Sequence, residues 1–446
     1  MKAIFLTRLP FSPGVRRVLE NMLWLFFDKI FRIGFGIFVG VWIARHLGPS
    51  QYGLWNYAIA FSSLFGAFAS LGLDSIVVRE LAHDDSNRDK LLGSAFFMKL
   101  GAGIIMLLLS VVTISFVKPG DRLIVLLVAL SSSSFIFQSL CVVDLYFQAH
   151  IQSKFSVYAY SGAFIINSLL KLILLVNKAP LIMFAFANAL EIVMSCIFLV
   201  ALYKHNHLNI RTWHFDSRTA VKLLCDSWPL ILAGLSITIY MRLDQVMIGE
   251  FLGDKEVGIY AAAVRISEIW HFIPMAIVSS TLPTLIESKK RSTELYHSRM
   301  QYLYDVMVFL ALVVAIATTL LGKSIILALF GVEYEKSSDV LVILIWSGLA
   351  TCLGVASSNW LTVENLQNYS FYRTIAGCIA NILLNLYLIP RFGARGAAAA
   401  TLVSYFISTF FLILWKETRS TAWMMLKSLW IFRAIARLKV NFHELR

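Results

Sequence analysis

The chain has 446 residues, 59% of them apolar and only 15% charged, with a formal net charge of +13. A soluble domain carries about 25% charged residues, so this composition excludes an ordinary water-soluble fold. It points instead to an all-α integral membrane protein. The basic excess does not indicate nucleic acid, because the cytoplasmic connections of membrane proteins collect Lys and Arg. No basic patch interleaved with aromatics lies outside an apolar context.

Apolar runs of about 20 residues, enough to cross a hydrocarbon core, recur along the whole chain. They predict about twelve transmembrane helices, over 18–44, 53–77, 91–117, 122–148, 155–177, 181–203, 223–249, 257–284, 300–326, 338–362, 371–390 and 395–416. The first run follows Lys2, Arg8, Arg16 and Arg17 but lacks a small-residue cleavage site. It therefore reads as a retained helix rather than a signal peptide. The longest polar connection, 204–222, divides the chain into an N-terminal six-helix lobe (1–203) and a C-terminal one (223–416). A basic tail over 417–446 carries Trp423, Trp430, Ile431 and Ile435 among its charges. It reads as an amphipathic helix on the anionic inner leaflet. Lys and Arg concentrate in the connections on the same side as both ends, which places both termini in the cytoplasm.

An internal repeat supports the division. Ile43-Ala-Arg-His-Leu-Gly48 through Gly53 aligns with Ile248-Gly-Glu-Phe-Leu-Gly253 through Gly258, between the first two helices of each half. Ile151-Gln152 through Gly162 likewise aligns with Leu366-Gln367 through Gly377. Six helices per half make the lobes parallel. Such repeats are the usual build of transporters, with a central cavity between the lobes.

Ionisable side chains at membrane depth are costly and mark functional candidates. The first helix brings Asp28 and Arg32, the seventh Arg242 and Asp244, and the eighth Arg265, Glu268 and His271; Lys171 lies in the fifth. Arg32, Arg242 and Arg265, with Lys171, are candidate ligands for a phosphate or pyrophosphate, which the guanidinium fork binds in bidentate fashion. Asp28, Asp244, Glu268 and His271 are candidates for coupling to an ion. The competing reading is structural: Asp28 with Arg32, and Arg265 with Glu268, stand at intrahelical pairing distance. The repeat sets Arg265 against Ala60 and Arg45 against Glu250, an asymmetry that suits an asymmetric substrate.

The five cysteines fall in apolar segments without metal-ligand or disulfide spacing, so no metal and no cofactor is expected. There is no phosphate-cradling glycine loop, paired-His motif or nucleophile elbow. The chain is not expected to be an enzyme.

The stretch Asn21-Met-Leu-Trp24, Arg32 and Ile43 through Gly53 resembles the opening of Wzx-type polysaccharide flippases. The pattern Pro229-Leu, Arg242-Leu-Asp244, Gly253 and Gly258-Ile-Tyr260 is similar to their seventh and eighth helices. Asn381, Asn385, Ile389-Pro-Arg-Phe-Gly393 and Gly396 through Thr401 are similar to the eleventh and twelfth. This resemblance covers residues 15–416. It implies a member of the MOP superfamily that turns an undecaprenyl-pyrophosphate-linked oligosaccharide across the cytoplasmic membrane by alternating access. The implied partners are that lipid, membrane lipids, a coupling ion (H+ or Na+), and the polysaccharide polymerase and chain-length machinery. Cavity arginines on the first and eighth helices matter in the related lipid II flippases, and Arg32 and the Arg265/Glu268 pair occupy similar places. Two other readings stand beside this one: a multidrug or cation antiporter of the same superfamily, and a membrane-embedded glycosyltransferase or polymerase.

Overall fold

The computed structural model describes residues 13–430. Among them every regular element is helical. In chain order these are α1 (Pro13–Ser70), α2 (Asp74–His83), α3 (Arg88–Val117), α4 (Arg122–Gln138), α5 (Val142–Ala149), α6 (Ser153–Val176), α7 (Leu181–His205) and α8 (Ser217–Leu252). Then come α9 (Asp254–Glu268), α10 (Phe272–Arg291), α11 (Thr293–Phe330), α12 (Ser337–Leu344), α13 (Ser347–Val363), α14 (Gln367–Phe410) and α15 (Arg419–Ser428). Ten stretches among the described residues are long and apolar enough to cross a membrane. Gly48 divides the first of these and Gly393 the last, both in backbone conformations that break a helix. Each broken stretch supplies two crossings, so the ten give the predicted twelve.

Contacts divide the chain into two compact units. One comprises residues up to Leu47 with Ala58–Leu235; the other comprises Gly48–Tyr57 with Ser236 onward. The break falls inside α8, and the connection 204–222 lies within the first unit. Local packing explains this. Ser94 Oγ and the Asp216 backbone bond each other, and a Cβ on Gly93 would meet His214 backbone nitrogen at 2.6 Å. The first turns of α8 are tied to α2 by Arg79–Asp226 and Lys222–Glu80 ion pairs, both at 2.8 Å. Asp216 caps α8 by accepting from Thr219 N and Oγ1, and these bonds hold its carboxyl below the ordinary carboxylate value.

The first unit is centred on Leu73, Leu92, Val142, Phe147, Leu199 and Tyr203; the second on Met300, Tyr304, Met307, Leu353, Ala356 and Trp360. Apolar side chains also line the outside: Phe116, Val176 and Leu320 are each more than three-quarters exposed. That is the surface a hydrocarbon solvent selects, since lipid is as apolar as the side chains themselves.

The repeat has a physical cause in the second unit. Gly48 (φ +68°) and Gly253 (φ +86°), equivalent in the two halves, share the left-handed conformation that favours glycine. Gly53 and Gly258, also equivalent, pack in the same junction. A Cβ on Gly53 would lie 1.7 Å from Asp254 O, and one on Gly258 2.0 Å from Pro49 O. Neither neighbour can yield, because both are backbone. The tail begins as the expected amphipathic helix, but α15 seats its buried face (Thr421, Ala422, Met424, Met425) in the second unit's core. Gln301 on α11 donates to Met424 O and Ser428 Oγ, while Trp423 stays exposed. The rest of the expected tail, including Ile431 and Ile435, lies outside the described residues.

Candidate functional site

Each unit holds its own group of membrane-depth charges. In the first unit a cavity of about 800 Å³ is lined by side chains from α1 to α7, among them Arg32, Asp74, Lys99, Asp144, Tyr160 and Glu191. Serines on α4 and the turn after it shape the crossing beside this cavity. Ser133, Ser134 and Ser139 each return a hydroxyl to the carbonyl three residues back. Such bonds loosen a helix, and the crossing breaks into a 3-10 turn at Ser139–Cys141 before α5 resumes. Asp144 and Gln148, four residues apart on α5, reach the cavity beyond that break.

The cations of this group are tied to carboxylates. Lys99 donates to Asp74, and Lys171 Nζ donates to Glu191 Oε2 at 3.2 Å and to Asn188 Oδ1 at 3.0 Å. Arg32 Nε lies 3.1 Å from Asp28 Oδ2, outside hydrogen-bonding geometry, with its guanidinium over the Tyr160 ring. Asp28 also accepts from Ser161 Oγ. Asp144 differs: its Oδ2 accepts from Gln148 Nε2 at 2.9 Å and from the Tyr160 hydroxyl at 3.4 Å, and among the described residues no cation pairs with it.

The second unit gathers arginine instead. Arg242 on α8 and Arg265 on α9 both act electrostatically on Glu268, at the end of α9. Tyr405 joins them and stacks on Tyr240 at 4.4 Å between centroids. Asp244 forms a separate buried cluster. It accepts from Tyr260 OH at 2.7 Å, from Asn385 Nδ2 at 2.6 Å and from Thr401 Oγ1, and Asn385 also donates to Asn381 Oδ1. His271, in the 3-10 turn between α9 and α10, meets the edge of Trp270 and makes no hydrogen bond among the described residues.

Residues 18–289 match the sequence model of a family described as polysaccharide biosynthesis protein. The chain belongs to that family. Residues 229–387 also match the MatE family, which sets it within the MOP superfamily of the sequence resemblance. Among curated relatives, the probable flippase AglR of Haloferax volcanii is 34% identical over 171 residues, 37% of this chain and 35% of AglR. The putative O-antigen transporter of Shigella flexneri is 22% identical over 90% of this chain and 98% of its own length. These relatives are a flippase and a transporter, not enzymes. Two solved structures share the fold. An inward-facing MATE multidrug-resistance transporter has a TM-score of 0.72 at 16% identity, covering 90% of this chain and 98% of its own. The lipid II flippase MurJ has a TM-score of 0.66 at 15% identity, covering 95% and 96%. The chain is thus a multi-pass membrane protein of polysaccharide biosynthesis.

Of the predicted site residues, Arg242, Arg265 and Glu268 come together in the second unit, while Asp244 belongs to its neighbouring hydroxyl and amide cluster. Arg32, Asp28 and Lys171 belong to the first unit, each in an ion pair. Sequence reading passed over Asp144, although a lone carboxylate in Val142-Val-Asp-Leu-Tyr-Phe is a visible signal. It also passed over Arg373, fully enclosed on α14 and bonded to Ser357 Oγ, Ser358 Oγ and Gly354 O of α13. Asn381 and Asn385 were quoted for resemblance alone; their four-residue spacing puts them on one helix face.

Proposed function

We propose that this chain is a flippase that moves an undecaprenyl-pyrophosphate-linked oligosaccharide from the cytoplasmic to the outer leaflet by alternating access. The observation that carries this reading is that two guanidiniums, Arg242 and Arg265, both act electrostatically on Glu268 within the second unit. Arginine offers rigid paired donors to phosphate oxygens, and a setting with little water strengthens the attraction. The glycan-pathway names of the relatives support the same substrate class. Arg32 and Lys171 belong to the first unit, where each stands beside a carboxylate, and they are not assigned to the phosphate.

Asp244 is the coupling group best suited to a proton or a sodium ion. It is 2% exposed, and neutral donors alone hold it, so its charge favours a small cation. Asp28 and Glu268 have cationic neighbours, and His271 is set against an indole edge. The distribution of Lys and Arg supports both ends in the cytoplasm, and the glycan-pathway names of the relatives favour the cytoplasmic membrane and a polymerase with its chain-length machinery as partners. Arg265→Ala in cells lacking their own copy is expected to abolish surface polysaccharide while the protein persists in the membrane. Normal polysaccharide would refute the site.

A second reading, a cation antiporter, is favoured by the MatE match and by the first unit's cavity. Three carboxylates (Asp74, Asp144, Glu191) line it against two cations (Arg32, Lys99). Efflux of tetraphenylphosphonium from loaded cells, lost in Asp144→Ala, would favour that reading.

A further inference from the structure

We propose that the first unit's cavity is a sugar subsite, which binds one hexosyl residue of the oligosaccharide by its hydroxyls through Asp144, Gln148 and Gln138. This rests on the flippase reading above and adds a place for the part of the substrate that carries no phosphate.

Hydrogen-bonding capacity decides what the cavity can hold. Its cations stand beside carboxylates that offset their charge: Lys99 is bonded to Asp74, and Arg32 lies against Asp28 and Tyr160. A phosphate entering here would face Asp74, Asp144 and Glu191 as like charges. The wall also carries neutral groups with capacity to spare. Gln138, at the end of α4, makes no side-chain hydrogen bond among the described residues. Gln148 gives one N–H to Asp144, which leaves its other N–H and its carbonyl oxygen. Asp144 Oδ2 takes one bond of normal length and one of 3.4 Å, so it can exchange the weaker for a ligand hydroxyl.

A carboxylate beside carboxamides offers both acceptors and donors within one wall. Hydroxyls, which donate and accept at once, are the complementary chemistry. Size agrees: about 800 Å³ lies within the range of 300–1,000 Å³ that small-molecule sites occupy. The contrast with Asp244 sharpens the assignment. Both carboxylates are held by neutral donors. Asp244 is buried among its donors, whereas Asp144 opens on a volume that admits a ring.

The test measures affinity of the purified full chain for farnesyl pyrophosphate and for a panel of farnesyl-pyrophosphoryl sugars carrying glucose, galactose, N-acetylglucosamine or N-acetylgalactosamine. In the wild-type chain at least one sugar is expected to raise affinity about tenfold over farnesyl pyrophosphate, the scale of a hydrogen bond to a charged group. Asp144→Ala is expected to erase that increment and leave farnesyl pyrophosphate binding unchanged, which also serves as the folding control. No increment across the panel, or an increment that survives Asp144→Ala, overturns the sugar subsite and leaves the flippase reading standing. Equal weakening of all lipids by Asp144→Ala also overturns it. Failure of the wild-type chain to bind any pyrophosphoryl lipid sinks the flippase reading itself. Saturable binding of tetraphenylphosphonium that depends on Asp144, without a sugar increment, replaces the sugar by a cation.

Discussion

The two units treat their arginines and lysines differently. In the first, Arg32 is paired with Asp28, Lys99 with Asp74 and Lys171 with Glu191, and Asp144 is left with neutral donors. In the second, two arginines share the field of one glutamate. Charge at membrane depth is costly either way, and the two solutions have different uses. One cation beside one carboxylate leaves little net charge, whereas two guanidiniums acting on one carboxylate are the arrangement proposed above to attract a phosphate. The sign of a region therefore depends on who stands beside each charge, and a count of basic residues along the helices does not reveal it.

The largest effect that bears on this difference is expected from removing the second unit's arginines. Arg242→Ala combined with Arg265→Ala is expected to lower the rate of lipid flipping in proteoliposomes more than a hundredfold. A rate within threefold of wild type would erase the distinction between the units. Next comes Asp244. Its removal in Asp244→Ala leaves the donors of Tyr260, Thr401 and Asn385 without their acceptor. The expected cost is about 3 kcal/mol or more, read as a lower melting temperature, with Asp244→Asn milder in stability yet unable to respond to a proton or sodium gradient. A transport rate in Asp244→Asn that still follows the gradient would move coupling elsewhere. The smallest effect belongs to Arg32. With its charge already matched by Asp28, Arg32→Gln is expected to cost about 1 kcal/mol of stability and to change lipid affinity less than threefold, measured by titration.

Much of this was legible in the sequence, for reasons that differ by residue. The twelve crossings follow from apolar length, and even the breaks are marked by glycine with proline adjacent at Gly48-Pro49 and three residues before at Pro390-Arg-Phe-Gly393. The Asp28–Arg32 pair follows from four-residue spacing on one helix. The Lys171–Glu191 pair does not, because its members sit on α6 and α7 and meet only when those helices pack. For the same reason the surroundings of Asp144, assembled from α4, α5 and α6, were hidden, although the residue itself was in view. Asp244 shows the intermediate case: its importance was plain from its depth, while Tyr260, Asn385 and Thr401 come from distant helices.

The most direct measurement is the affinity of the purified chain for farnesyl pyrophosphate in two pairs of variants. Arg242→Ala and Arg265→Ala are expected to lose at least tenfold in affinity, while Arg32→Ala and Lys171→Ala stay within threefold of wild type. The reverse order, with the first unit's cations dominating, would contradict the assignment of the phosphate to the second unit.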